Sequence, residues 1–239
     1  PYKLTHEQFE QHLDVFAAAP ATPALITDID FSAPGKHILI GFDDGGKSAC
    51  YAAERLADRG WRGHFFITTG RIGDNTFVSR EDILALRDGG HIVGSHSHTH
   101  PNIFRELTDA QMQQEWRTST GILSDILQTP CRIASVPGGD ISARVLQNAR
   151  AAGIDYLFTS EPWLQPRHLN GGWALGRFCL KANTGLDTVD KLAHFRGWRR
   201  VLLERRVKST VKLALAPLYR YYVQHITKEA QNVGKKNAQ

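Results

Sequence analysis

Histidines are concentrated in one short segment of the sequence. Residues 91–101 read HIVGSHSHTHP and hold four of the chain's eleven histidines. Imidazole nitrogens are common ligands of zinc and related divalent metals, and a catalytic zinc site takes three protein ligands and leaves one position open. Core packing gives no reason to place so many titratable rings together. The segment therefore predicts a metal site.

The spacing of the histidines allows two ligand sets. On one helical turn His96 and His100 face the same side and His98 points elsewhere, whereas in an extended segment all three rings share one face. The first set needs a further ligand, and the adjacent carboxylates Asp43 and Asp44 directly follow the apolar run HILIGF. One carboxylate could bind the metal while the other accepts a proton from water. The extended set resembles the HxH motif of amidohydrolase barrels and remains an alternative.

Composition narrows the class of protein. The chain has 239 residues, of which 41% are hydrophobic and 22% charged, as is ordinary for a globular protein with a large core. The chain contains no run of eighteen uncharged apolar residues, so no membrane-spanning helix is predicted. Cys50, Cys131 and Cys179 form no CxxC pair, so a cysteine zinc site is not expected, and their odd number favours free thiols.

The order of predicted elements indicates a parallel α/β fold that could position these side chains. Short apolar runs alternate with segments of helical periodicity, which is typical of a parallel sheet covered by helices and, at this number of units, of a barrel. Strands are predicted at 37–42, 64–68, 91–95, 132–136, 156–159 and 173–180, and helices at 5–17, 48–59, 79–88, 108–127, 141–152 and 187–195.

Polar clusters follow or lie in several of these strands. The pair Asp43-Asp44 follows one strand, His96 to His100 follow another, residues 137–140 follow a third, and Arg177 lies in a fourth. The carboxyl ends of parallel strands gather on one face of the fold, where ligands bind. We therefore expect these clusters to converge.

Two of the motifs resemble those of a known family. IGFDDGG at 40–46 and GSHSHTHP at 94–101 are similar to the first two motifs of the polysaccharide deacetylases, the NodB-homology or fourth carbohydrate esterase family. The resemblance extends over about residues 2–195. It implies an α/β fold, a distorted (β/α)7 TIM-like barrel at 1–196, that removes N-acetyl groups from amino-sugar polymers.

The resemblance also assigns roles to individual residues. It implies that Asp43 is the catalytic base and that Asp44, His96 and His100 hold one divalent metal ion, most simply zinc, with cobalt, nickel or manganese as alternatives. We further expect five residues to contact the substrate, through backbone N–H groups, groove walls or ring stacking, namely Gly45, His98, Pro137, Gly139 and Trp163.

Two parts of the family pattern are absent. The third motif, usually RPPYG, appears as SVPGG at 135–139, so the arginine that commonly steadies the base is missing. We hypothesise that the guanidinium of Arg177 replaces it beside Asp43. No LLH-type motif supplies the usual histidine general acid. His168 and His194 are candidates for that role, and a solvent proton is the alternative.

The C-terminal segment 197–239 differs in charge from the rest of the chain. Residues 196–239 contain eleven Lys and Arg against two Glu, whereas the remainder contains 18 basic and 22 acidic residues. Interspersed apolar residues predict a basic amphipathic helical tail that contacts an anionic membrane surface, or that packs on the barrel instead. No nucleic-acid partner is expected, because the body is acidic and carries no binding motif.

The sequence thus predicts a metal-dependent deacetylase of an N-acetylated glycan in cell-envelope or exopolysaccharide biosynthesis. Such an enzyme would lie in the bacterial envelope, at the cytoplasmic face of the membrane or in the periplasm. Two alternatives stay open: an amidase of the same barrel that acts on a small non-peptide amide, and a catalytically weakened glycan-binding module that kept the metal.

Overall fold

The computed structural model of the chain describes residues 3–139, 141–169 and 171–203. The chain divides into two units, Pro1–Trp198 and Arg199–Gln239, and every element named below belongs to the first. The basic tail expected at 197–239 lies outside the described residues from position 204 onward, so it stays a prediction. No described helix combines the length and apolar character needed to cross a membrane.

The helices begin where the sequence pattern predicts. Thr5, Ser79 and Thr108 each form a capping box, in which the cap side chain and the side chain three residues later accept each other's backbone N–H. The helices are α1 His6–Ala17, α2 Ser48–Ala57, α3 Arg80–Asp88, α4 Asp109–Leu127, α5 Ala143–Ala151 and α6 Leu186–Ala193.

The strands of the described residues form one curled sheet. They are β1 Gly41–Phe42, β2 His64–Ile67, β3 Ile92–Ser95, β4 Ile133–Ser135, β5 Tyr156–Phe158, β6 Arg167–Leu169 and β7 Gly172–Leu175. Their order is β1-β2-β3-β4-β5-β7-β6, and all neighbours are parallel except β6, which is antiparallel to β7. This is the distorted (β/α)7 barrel that was expected.

Both faces of the sheet are covered. Phe65 and Ile67 pack into a cluster with apolar side chains of α2 and α3, whereas Phe66 packs with Phe158 and Leu175. Successive side chains of a strand point to opposite faces, so burial of all four β2 residues requires cover on both sides. The apolar run at 65–67 therefore reflects a strand that is covered on both faces.

His64 begins β2 and is fully buried. Its Nε2 accepts the backbone N–H of Ile26 at 3.0 Å, and its Nδ1 donates to the carbonyl of Ile40 at 3.0 Å. Burial lowers the pKa of His64 to about 4. The ring is therefore neutral at ordinary pH and joins the segment before β1 to the sheet.

Strand boundaries differ from the expectation at both ends of the sheet. In the first predicted strand, pairing with β2 covers Gly41–Phe42 and Ile38 forms an isolated bridge with Pro23. The last predicted strand ends at Leu175 rather than 180. A Cβ at Gly176 would lie 2.5 Å from the Glu161 carbonyl oxygen, and the N–H of Arg177 donates to that same oxygen at 2.9 Å. The loop after β5 thus takes the place of a strand partner.

The three cysteines are free thiols, as their odd number predicts. Cys131 is buried beside β4, and burial raises the pKa of its thiol to about 11. This thiol therefore behaves as an apolar core group and not as a nucleophile.

Candidate active site

The chemically important side chains meet at the carboxyl ends of the parallel strands. Asp43 and Asp44 directly follow β1, His96 directly follows β3, Ser135 ends β4, and Arg177 lies two residues beyond β7. Five residues from four separate parts of the chain are thus positioned by one sheet edge, as the parallel topology predicts.

Asp44, His96 and His100 form a three-residue cluster. The Oδ1 of Asp44 lies 3.4 Å from Nε2 of His96 and 3.5 Å from Nε2 of His100, and all three ligand atoms lie within 4.8 Å of one another. Atoms held about 2.0–2.2 Å from one zinc ion at tetrahedral angles are about 3.3–3.6 Å apart. The two measured separations fit that spacing.

The hydrogen bonds of His96 favour metal binding. This ring is buried, and its Nδ1 lies 2.9 Å from the carbonyl oxygen of Ser135. A carbonyl can only accept, so Nδ1 carries the proton and Nε2 presents a bare lone pair toward Asp44. The donor set and its tautomer therefore suit a divalent transition metal.

His98 does not belong to this cluster. Its Nδ1 hydrogen-bonds to the hydroxyl of Thr69 at 3.0 Å, and the cluster of possible metal ligands among the described residues consists of Asp44, His96 and His100. The extended arrangement with three alternating histidines is therefore not the one that the chain adopts. His98 is half-buried, and its expected contact with substrate stays a prediction.

The turn after β1 explains the sequence Asp-Asp-Gly. Asp44 has φ of 76° and Gly45 has φ of 79°, a left-handed conformation that aspartate tolerates and glycine favours. A Cβ at Gly45 would also lie 3.2 Å from side-chain carbons of Ile67. This turn sends the two carboxylates in different directions, with Asp44 toward the histidines and Asp43 toward Arg177.

Arg177 forms a bidentate ion pair with Asp43. Its Nη1 and Nη2 donate to the two carboxylate oxygens, each at 2.9 Å, and Nη2 also donates to Ser135 Oγ at 2.6 Å. Its Nε donates to the Thr159 carbonyl at 3.1 Å. The guanidinium thus lies where the sequence hypothesis places it, beside the carboxylate that lacks its usual arginine.

The charges around Asp43 fix its protonation state. Burial by itself would raise the pKa of Asp43, but the charge and hydrogen bonds of Arg177, with contributions from His96 and Ser135, hold that pKa well below its ordinary value. Asp43 also raises the pKa of Arg177 against the opposing effect of burial. Both partners are therefore ionised throughout the neutral range.

The cluster side chains are also in their metal-binding forms. The neighbouring imidazole of His96, opposed by burial, lowers the pKa of Asp44 below its ordinary value. Burial lowers the pKa of His100, with a further decrease from His96. An ionised carboxylate and a neutral imidazole are the forms that metals bind.

The five residues expected to contact substrate lie around this edge, but they are not equivalent. The N–H of Gly139 donates to the Val136 carbonyl at 2.8 Å, so it is not available to an oxyanion. Gly45 N–H, by contrast, has no hydrogen bond to another described residue. Pro137 is buried in a 3-10 turn, and Trp163 is half-buried beneath the guanidinium of Arg167 at 3.7 Å.

The candidate general acids are not brought to the site. His168 lies in β6, where its ring contacts Trp173 with centroids 4.9 Å apart. His194 follows α6, and its Nδ1 bonds to the Asp190 carbonyl at 2.9 Å. Neither ring has a contact with the Asp44 cluster or with Asp43 among the described residues.

Sequence reasoning missed Ser135. Its carbonyl orients His96 and its hydroxyl accepts from Arg177, so one residue contacts both halves of the site. The available signal was its position: it stands where the family's third motif usually has arginine. A small side chain at that position leaves room for the guanidinium of Arg177, which lies two residues beyond β7.

Comparisons with known proteins bear on the family and the fold. The family model described as polysaccharide deacetylase matches residues 31–157. IcaB from Ammonifex degensii has a TM-score of 0.68 at 20% identity, over 79% of this chain and 88% of that one. The Streptococcus pyogenes deacetylase PplD has a TM-score of 0.68 at 17% identity, over 78% and 85%. The BpsB deacetylase domain from Bordetella bronchiseptica has a TM-score of 0.55 at 16% identity, over 68% and 79%. At these identities the three structures support the fold.

Proposed function

The chain belongs to the polysaccharide deacetylase family, and on that premise we propose that it is a metal-dependent hydrolase of N-acetyl groups. Its substrate is an N-acetylated amino-sugar polysaccharide or glycan intermediate of cell-envelope or exopolysaccharide biosynthesis. The observation that carries this proposal is the cluster of Asp44, His96 and His100 beside the Asp43–Arg177 pair.

Asp44, His96 and His100 are the residues that would hold the ion. Zinc is the first expectation for two imidazoles and one carboxylate, and cobalt, nickel and manganese are alternatives. When bound, such an ion polarises the acetyl carbonyl and makes water easier to deprotonate. The remaining chemistry belongs to side chains and backbone groups of the chain.

Asp43 acts as the general base in this proposal. Water attacks the acetyl carbonyl carbon, and its proton moves to the Asp43 carboxylate. Two carboxylate lone pairs are engaged by Arg177, and the remainder can accept from water. Arg177 lowers the basicity of Asp43 but keeps it ionised and fixed in orientation, so the proton acceptor is present at neutral pH.

The oxyanion and the leaving group need their own partners. The unused N–H of Gly45 is the proposed backbone donor for the developing oxyanion. When the C–N bond breaks, the amine takes up a proton. Asp43 returns the proton it accepted, or solvent supplies it, because neither His168 nor His194 contacts the site.

The glycan is proposed to lie across the rim that carries Trp163 and His98. Carbohydrate rings present apolar faces that pack against aromatic side chains. The backbone of Trp163 lies close to Gly176, the residue before Arg177, so the loop that carries the indole runs beside the backbone of the residue that pairs with Asp43. The basic segment 197–239 is proposed to hold the enzyme at an anionic membrane surface, near a lipid-linked or growing chain.

Acetate release from N-acetylglucosamine oligomers tests the proposal. We expect turnover by the metal-loaded chain, loss of turnover after chelation and recovery when zinc is restored. His100→Ala is the matched variant and should not recover. Turnover of small amides with no turnover of any oligomer would contradict the glycan assignment, and full activity in chelator would contradict metal dependence.

A further inference from the structure

The loop that carries His100 has an unusual pattern of backbone hydrogen bonds. Four successive N–H groups, those of residues 97–100, each donate to a side-chain oxygen. Ser97 and His100 also have φ of 65° and 55°, in the left-handed region that ordinary residues avoid. The loop is therefore not held by regular secondary structure, and its shape depends on the side chains that accept these bonds.

Glu115 of α4 accepts two of those four bonds. Its Oε2 lies 2.8 Å from the N–H nitrogens of both His98 and Thr99, and its Oε1 accepts the Thr99 hydroxyl at 2.6 Å. Successive N–H groups that converge on one point make an anion-binding concavity. In this protein the anion is a carboxylate of the chain itself.

A second residue of the same helix holds the other end of the loop. Ser119 lies one helical turn after Glu115, and its hydroxyl bonds to that of Ser95 at 2.7 Å. Ser95 Oγ in turn accepts the N–H of Ser97 at 3.1 Å. Trp116, between the two anchors, is fully buried. The helix that presents these anchors is therefore fixed by the core.

Glu115 is the more direct of the two anchors. A non-glycine residue in the left-handed region is strained and persists only where its surroundings determine it. Glu115 makes three hydrogen bonds to the loop, which span the two residues between Ser97 and His100, whereas Ser119 reaches the loop only through the hydroxyl of Ser95. Loss of this carboxylate removes the three hydrogen bonds that hold residues 98 and 99 to α4, while the carbonyls of Ser97 and His98 still accept the N–H groups of Thr69 and Gly70.

We propose that Glu115 is a positioning residue that sets the affinity of the metal site by fixing the loop of His100. It touches neither metal nor substrate and acts through the backbone of residues 98 and 99. The inference rests on the proposed function, because it takes Asp44, His96 and His100 as the ligands. Beyond the ligand set, it identifies Glu115 as the residue that aligns His100.

Four variants of the full chain test the inference through zinc affinity. Glu115→Gln keeps the length of the side chain and one acceptor oxygen, whereas Glu115→Asp keeps the charge but withdraws the carboxylate from the loop. Glu115→Ala removes both, and Asp125→Ala, on an exposed position of α4, removes one acidic charge elsewhere. The zinc dissociation constant is measured by competition with a chromophoric chelator, and urea unfolding of the metal-free variants reports stability.

We expect Glu115→Ala and Glu115→Asp to weaken zinc binding about 10–100-fold, the usual effect of removing a residue that orients a ligand. Glu115→Gln should stay within about threefold of the wild type, as should Asp125→Ala. The cobalt-loaded alanine variant should show an altered visible spectrum, because His100 no longer reaches the ion. A loss of stability alone would change neither the ratio of the zinc dissociation constants of the Gln and Asp variants nor the visible spectrum of the cobalt-loaded protein.

Other results would overturn the inference. If zinc affinity follows charge, so that the Asp variant behaves like wild type and the Gln variant is weak, Glu115 acts by electrostatics and not by position. Wild-type affinity in all three Glu115 variants would remove its role altogether. If Glu115→Ala does not fold, the comparison of Gln with Asp decides. Failure of the wild-type chain to bind zinc is a different outcome, and it contradicts the proposed function itself.

Discussion

Replacement of Arg177 by alanine removes the partner of a buried carboxylate. The pair is bidentate, and the side chains of Arg177 and Asp43 are only 14% and 26% exposed. Loss of one partner from a buried ion pair costs about 3–5 kcal/mol, because the other charge is left without compensation. Partial exposure of Asp43 favours the lower end, so we expect Arg177→Ala to lose about 3 kcal/mol in free energy of unfolding.

The same change alters the titration of Asp43, the proposed base. Arg177 is the main cause that lowers the pKa of Asp43, and burial is the opposing cause. Without the guanidinium, burial dominates and the pKa of Asp43 rises. A base works only when ionised, so activity is lost as pH falls through its pKa. The acid limb of the rate profile should therefore move to higher pH, and misplacement of the carboxylate should lower kcat about 100-fold.

Urea unfolding at pH 7 and acetate release from pH 4 to 9 measure the two effects. Arg144→Ala is the control, since it removes an exposed arginine paired with Asp109 and should cost less than about 1 kcal/mol. Relative to Arg177→Ala, Arg177→Lys should recover part of the stability but little of kcat, because a lysine cannot form the bidentate contact with the Asp43 carboxylate. An Arg177→Ala variant whose acid limb coincides with that of the wild type would refute the reasoning.

Three further predictions concern other parts of the chain. Asp44→Ala should reduce bound zinc from about one equivalent to background in an elemental assay, with circular dichroism unchanged; a retained equivalent would exclude this ligand set. His64, whose pKa falls from 6.5 unfolded to about 4 folded, contributes stability that is complete above pH 6.5 and is lost as pH falls toward 4. Its share of that loss is about 2 kcal/mol between pH 7 and 5, so His64→Gln should flatten the pH dependence of urea unfolding, and an equal slope would contradict the assignment. In flotation assays the full chain should bind phosphatidylglycerol vesicles but not phosphatidylcholine vesicles, and binding should weaken at least about tenfold when glutamine replaces Arg199, Arg200, Arg205 and Arg206; equal flotation would count against the membrane proposal.

The helix starts and central strands could be predicted because their signals are local. Capping boxes and unbroken apolar runs depend on a few adjacent residues, and Thr5, Ser79 and Thr108 cap helices in the structure as expected. Strand β6 could not be found in this way. Its residues Arg167–Leu169 are all exposed at the edge of the sheet, so burial leaves no apolar pattern in them.

The residues of the site also differ in whether a sequence motif can reveal them. Resemblance to a family pattern placed Asp44, His96 and His100 correctly in one cluster, and the missing arginine pointed to Arg177. Glu115 could not be predicted, because a glutamate on a helix has the same sequence pattern whether it faces water or accepts backbone bonds from a loop. Such a role depends on two segments that only the folded chain brings together.

The distance along the chain between Asp43 and Arg177 has a consequence for synthesis. These partners are 134 positions apart, while the ligands and the Ser135 carbonyl are all translated before the second half of the sheet. Domains generally fold as units. A nascent chain that ends before position 177 lacks the counter-ion of the Asp43 carboxylate, so the Asp43–Arg177 pair can form only after the last parallel strand has been synthesised.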